Sequence, residues 1–290
     1  MMRTMSKLSI VLAGALLLAG GAGAAEPQKV WEVKGLDAPE SAVPDPNRDV
    51  IYVSNVNGQP GEANGKGYIA KLSTDGKIIS KHWVTGLNAP KGLALHEGKL
   101  YAADIDKLVV VDTESGKIVA TYGAIGASFL NDVAAADDGR IFVSDMVKNQ
   151  IWVLDGPLFQ LWLESPELQN PNGLLAEPNR LVVASWGDMN PQDFSTKIPG
   201  HLKAVDYQTM KITDLGTEPI GNLDGIEPDG NGGYLVTDWV KGALYRIDDN
   251  GNGKMLMDMD QGSADLHYDP SQNLAIIPIM GDNVVVAYRL

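Results

Sequence analysis

The chain has 290 residues, no cysteine, four histidines and a formal net charge of −14. Without thiols there are no disulfides, no lipid-modified cysteine and no thiolate metal centre, and so few histidines disfavour zinc. An acidic surface with no basic patch repels nucleic acid and anionic membranes; it suits metal cations and neutral or cationic small molecules.

The first element reads as an export signal. Arg3 and Lys7 precede the apolar run 8–18, and small residues end at Ala24 and Ala25, so cleavage after either follows the small-x-small rule. The run is shorter than the roughly 20 apolar residues of a membrane span, although an uncleaved anchor is the competing reading. Residues 1–25 are expected to be a signal peptide and 26–290 one mature domain, periplasmic or secreted, with no membrane contact after cleavage. Loss of Arg3 and Lys7 takes the mature charge to −16.

From residue 35 the chain repeats itself. "GLDAPESAV" (35–43) returns as "GLNAPKGLAL" (86–95), then more weakly as "SFLNDVAAADDGR", "LQNPNGLLAEPNR", "IGNLDGIEPDGNGG" and "GSADLHYDPSQN". Each copy leads into a β-rich run, from "VIYVSN" to "LAIIPI", and a third run follows, from "YIAKLS" to "NVVVAY". A fourth run, such as "IISKHWV" or "FQLWLE", follows five copies only. The segment "QKVWEVKG" (28–35), ahead of the first copy, has the matching alternation. The aligned residues Glu40, Lys91, Asn131, Asn172, Asp224 and Asp265 are 51, 40, 41, 52 and 41 residues apart. Units of about 40–50 residues with four short strands are propeller blades. The expected fold is therefore all-β, a six-bladed β-propeller whose N-terminal strand closes the last blade. A β-sandwich leaves the long period unexplained, and no segment after residue 25 has sustained helical periodicity.

The first strand of a blade lies nearest the axis. Short turns such as "DPNRD" and "ADDGR" join strands one and two on one face, so the six aligned residues should ring the other mouth of the central tunnel. Carboxylates and amides converging there need a positive partner. Oxygen donors suit calcium, which takes six to eight of them, and another divalent cation is also open. A polar mouth that only holds ordered water is the plainer reading. His267, two residues beyond Asp265 along the pleat, points the same way, as a ligand, a base or a core histidine. "DDNGNG" (248–253) begins like a calcium loop, but Met259 stands where the bidentate glutamate belongs, so it reads as a turn.

The quartet "APES" (38–41), "NDV" (131–133), "NPNGL" (170–174) and "LDGI" (223–226) resembles the senescence-marker-protein/gluconolactonase family, whose wider relatives include diisopropylfluorophosphatase and the paraoxonases. The resemblance implies one catalytic cation, usually calcium, held by Glu40, Asn131, Asn172 and Asp224. It implies hydrolysis of a lactone, ester or phosphotriester, with Asp224 as general base or nucleophile. A small-molecule substrate is expected, with Lys91, Asp265 and His267 as its contacts. The long loops "VNGQPGEANGKG" and "WGDMNPQDFSTKIPG" fall on the same face and would form a lid. Lys91 departs from the family's pattern. Its ammonium could bind a substrate anion, or pair with Glu40 and Asp224 in place of the metal. The second case makes a silent periplasmic module for a ligand or protein partner.

Overall fold

The computed structural model describes residues 26–290; the signal-peptide expectation for 1–25 lies outside them. The described residues form six four-stranded antiparallel sheets, plus a two-stranded hairpin. The innermost strands of blades one to six are Pro39–Asp45, Pro90–His96, Leu130–Ala135, Pro171–Ala176, Leu223–Pro228 and His267–Asp269. Each blade meanders outward from its innermost strand. Blade four is interrupted by the hairpin Gly187–Met189 and Thr196–Pro199 before its third strand, Leu202–Asp206.

Closure follows the arithmetic of the repeats. The strand Gln28–Lys34 pairs with Val284–Arg289 as the outermost strand of blade six, from Gln28 opposite Arg289 to Lys34 opposite Val284. The first of the described strands thus completes the sheet begun by His267–Asp269.

Each blade is covered on both faces by its neighbours, so its middle strands must be apolar on both sides. Val50–Asn55 and Ile141–Asp145 are accordingly buried at every position, whereas the outer strand Leu158–Glu164 is largely open. An apolar cluster fills each inter-blade gap. At the closing seam Ala42, Ile51, Val53 and Tyr68 of blade one pack on Ile276, Val285, Ala287 and Val33 of blade six. The seam is therefore packed like any other interface, and stacked apolar faces supply the main favourable term.

Candidate active site

The central channel is shaped by a bulge repeated around the ring. In blade one Pro39 pairs with Asn55 and Ala42 with Val53, so Glu40 and Ser41 together oppose Ser54. The same two-against-one step holds Lys91 and Gly92, Asn131 and Asp132, Asn172 and Gly173, and Asp224 and Gly225 in blades two to five. A bulge breaks the alternation of a strand and re-aims its side chains. In blade six Ser263 pairs with Ile279 and His267 with Ile276, and counting up from His267 leaves Ala264 and Asp265 opposite Pro278. Hydrogen bonds between blades give the same register: Ser144 Oγ donates to Asn172 O at 2.8 Å, and Thr237 Oγ1 to Ala264 O at 2.7 Å.

The structure thereby corrects the sixth repeat by one residue. The upper tier is Glu40, Lys91, Asn131, Asn172, Asp224 and Ala264. Asp265 belongs one layer down, with Ser41, Gly92, Asp132, Gly173 and Gly225. His267 lies lower again, level with Glu227.

Five upper-tier residues, Glu40, Lys91, Asn131, Asn172 and Asp224, line one cavity of about 630 Å³ at the mouth. Asn131 Nδ2 donates to Asn172 Oδ1, and Asn172 Nδ2 donates to Leu223 O at 3.1 Å. Glu40 Oε2 is buried with no hydrogen-bond partner. Burial, then the nearby Asp224, Asp265 and Asp132, raise the Glu40 carboxyl well above the ordinary carboxylate range. Burial and Asp265 push Asp224 up to about 8, against the pull of the Asn172 amide. Both shifts mark carboxylates that lack a counter-charge.

Lys91 does not provide that charge by direct pairing. Its Nζ donates to Ala89 O at 3.2 Å and Leu130 O at 3.4 Å, and sits 4.4 Å from the Phe129 ring centroid. It forms no ion pair with Glu40 or Asp224, and burial lowers it to about 8. The replacement of a metal by a Lys91 ion pair therefore has no counterpart in this geometry.

Among the described residues no three His, Asp or Glu side chains group as a metal site. A cation at the mouth would instead draw on two carboxylates and two amides, a hard oxygen set that fits calcium better than zinc. The partnerless Glu40 Oε2 is the observation that favours such an occupant.

The middle tier is tied together internally. Ser41 Oγ donates to Asp265 Oδ2 at 2.6 Å and accepts from Leu93 N at 3.2 Å; Asp132 Oδ2 accepts from Leu174 N at 2.6 Å. A Cβ on Gly92 would stand 2.3 Å from Asp132 Oδ1, and one on Gly225 2.7 Å from Asp265 Oδ1, so glycine leaves these carboxylates their space. Asp265 is raised to about 7, chiefly by burial and against its Ser41 bond. Asp265, Asp132, Glu227 and His267 line a second cavity of about 210 Å³ towards the opposite mouth. His267 Nδ1 is 3.0 Å from Glu227 Oε1. Asp265 and His267 thus do not join the mouth cavity as the sequence had suggested.

Above the upper tier the walls are apolar. Met146, Trp186, Trp239 and Met280 line the cavity from blades three to six. Each directly follows the last residue of its blade's second strand, so one repeat position builds the collar. Phe129 and Phe194 lie at a centroid distance of 5.5 Å, Trp186 and Trp239 at 6.0 Å. Both long loops reach the cavity, through Gln59, Pro60 and Gly61 in blade one and Pro191, Asp193 and Phe194 in blade four. Sequence reading missed this collar, although the recurring "DM", "SW", "DW" and "IM" steps after the second strands carried its signal.

No family model matches the chain, and no curated protein does. Solved structures share its fold. A gluconolactonase from Xanthomonas campestris superposes with a TM-score of 0.70 at 15% identity, covering 91% of this chain and 89% of that one. A second protein, provisionally identified as a gluconolactonase, gives 0.67 at 17% identity, with 92% of each chain covered. A protein of unknown function from Bacteroides thetaiotaomicron gives 0.66 at 11% identity, over 91% of this chain and 75% of that one.

Proposed function

We propose that the protein is an exported hydrolase of lactones or related esters that works with a divalent cation, calcium by preference, at the mouth of the propeller. The observation that carries this reading is the buried, partnerless Glu40 Oε2 beside Asp224, on the floor of a cavity large enough for a small molecule. Both as carboxylates, they would not be held there against desolvation and each other without a compensating charge, and without one they keep their protons. The gluconolactonases that share the fold agree with a lactone substrate.

Glu40, Asn131, Asn172 and Asp224 would hold the cation. When bound, it supplies Lewis-acid polarisation of the scissile carbonyl. Glu40 contributes charge, and the Asn172 amide is braced by the Leu223 carbonyl. Asp224 would take a proton from water. Deprotonated, it can act as general base; protonated, as burial and the nearby Asp265 would keep it at neutral pH without a cation, it cannot. The collar residues exclude water from the floor, which strengthens every charge interaction there.

Calcium titration of the purified mature protein, followed by calorimetry and by melting, tests the reading. Calcium should bind one site per chain and raise the melting temperature, and chelator should reverse the effect. Asp224→Asn should keep the fold and abolish hydrolysis of γ-lactones. No calcium heat, together with an unchanged melting curve in chelator, would sink the proposal.

A further inference from the structure

The floor of the mouth cavity is polar, but its walls are not, and that division sets what the cavity can accept. Met146, Trp186, Trp239 and Met280 supply a collar from four consecutive blades, and Phe129 and Phe194 complete it. Beyond the floor, the hydrogen-bonding groups among the lining residues are Ser128 Oγ and Trp186 Nε1, both closed off from solvent and without a partner, Trp239 Nε1, which donates to Met280 Sδ at 3.3 Å, and, at the exposed rim, Gln59 and Asp193. A ring carrying several hydroxyls would bury most of them against carbon, and each hydroxyl left unpaired there weakens binding. An alkyl or aryl group loses nothing there and gains from leaving water.

Phe194 is placed for this role by local structure. It sits in the blade-four hairpin loop, where Phe194 N donates to Asn190 O at 2.8 Å and Asn190 N to Ser195 O at 2.8 Å. Asp193 Oδ1 accepts from both the backbone and the hydroxyl of Ser195. The loop holds Phe194 at a φ of 58°, a left-handed conformation unusual for a bulky residue. With 37% of its surface still open, the ring covers the Phe129 side of the mouth without being part of a core.

We infer that the natural ligand is a neutral ester or lactone with an apolar acyl or ring substituent, alkyl or aryl, and not a polyhydroxylated sugar lactone. The inference rests on the hydrolase reading for the ester group and on the collar for the rest. It differs from the substrate named for the Xanthomonas structure that shares the fold. The physical ground is that the few hydrogen-bonding groups of the walls are closed off or already paired, while the surface turned to the cavity is carbon and sulfur.

The test separates the two claims. Binding of the neutral fluorophore N-phenyl-1-naphthylamine is measured on the chelator-treated mature protein, where no turnover occurs, and is then competed with γ-decalactone or glucono-δ-lactone. Hydrolysis of both lactones is measured with calcium present. Saturable probe binding is expected, displaced by γ-decalactone and left in place by about a hundredfold more glucono-δ-lactone. Trp239→Ala and Phe194→Ala should each weaken it roughly tenfold. Phe194→Leu, which keeps an apolar side chain on an exposed loop, should restore most of the binding with an unchanged melting temperature. Displacement by γ-decalactone without hydrolysis of any lactone supports the ligand class and removes the hydrolase reading. Faster hydrolysis of glucono-δ-lactone keeps the hydrolase reading and overturns the inference. So do absent probe binding, and alanine variants that bind like wild type.

Discussion

Ser41 Oγ donates to Asp265 Oδ2 at 2.6 Å, joining the first blade to the sixth at the middle of the channel. The two residues are 224 positions apart in the chain, and the contact exists only when the ring is closed. Ser41 is fully buried, and its oxygen also accepts from Leu93 N of blade two at 3.2 Å. One hydroxyl therefore spans three blades.

Ser41→Ala should destabilise the protein by about 1–3 kcal/mol, because it strands a buried carboxyl and a buried backbone N–H together. Urea unfolding of Ser41→Ala, Asp265→Asn and the double variant would expose the coupling. The double variant should cost clearly less than the sum of the two singles.

The acids of the channel make stability depend on pH in a definite direction. Unfolded, Asp224 releases its proton near 3.8; folded and free of cation, burial moves that release to about 8. Between those values the folded state holds a proton the unfolded chain has lost, so stability is greatest at the acid end and falls as pH rises towards 8. Glu40 and Asp265 shift the same way. Chelator-treated protein should accordingly melt lower at pH 8 than at pH 5.5. Calcium should raise the melting temperature more at pH 8, and Asp224→Asn should flatten the pH slope.

Lys91 shares the cavity floor with Glu40 and Asp224 but pairs with neither, so its charge acts on a bound cation only as repulsion. Lys91→Met should tighten calcium binding by roughly a hundredfold or more, since an ammonium several ångströms from a dication at an effective dielectric near 20 repels it by about 3 kcal/mol or more. A titration showing weaker binding in Lys91→Met would mean that the ammonium organises the site instead.

Deleting residues 26–34 removes the outer strand of blade six and exposes the edge Val284–Arg289. Val33 is buried in the seam cluster, and Trp31 packs against that cluster. Losing these two side chains should cost about 3–6 kcal/mol, a fall of roughly 10–20 °C in melting temperature. Differential scanning fluorimetry reads the shift, and light scattering should show association through the bared edge.

The architecture was legible because a blade is a local unit. Four short strands and their turns recur within each copy, and a missing fourth strand matched by a spare one at the N-terminus announces closure without any long-range information. Glu40, Asn131, Asn172 and Asp224 could be aligned because the phrases around them are similar. Asp265 could not, since the sixth copy is the weakest and offers a single acid near the expected place. Its layer is set by Pro278 on the neighbouring strand and by Thr237 bonding to Ala264 O. Those partners are distant in the chain or silent in a repeat alignment.

The sequence by itself determined the number of blades, the strand that closes them and which face carries the long loops, because these depend on period and local turn chemistry. Only the tertiary structure decided that the mouth holds five of the six aligned side chains. Likewise it turned Lys91 to backbone carbonyls and the Phe129 ring, and stacked one repeat position into an apolar collar above the acids. Those features depend on bulge register and on contacts between blades, and a one-residue shift in register moves a side chain from one layer of the channel to the next.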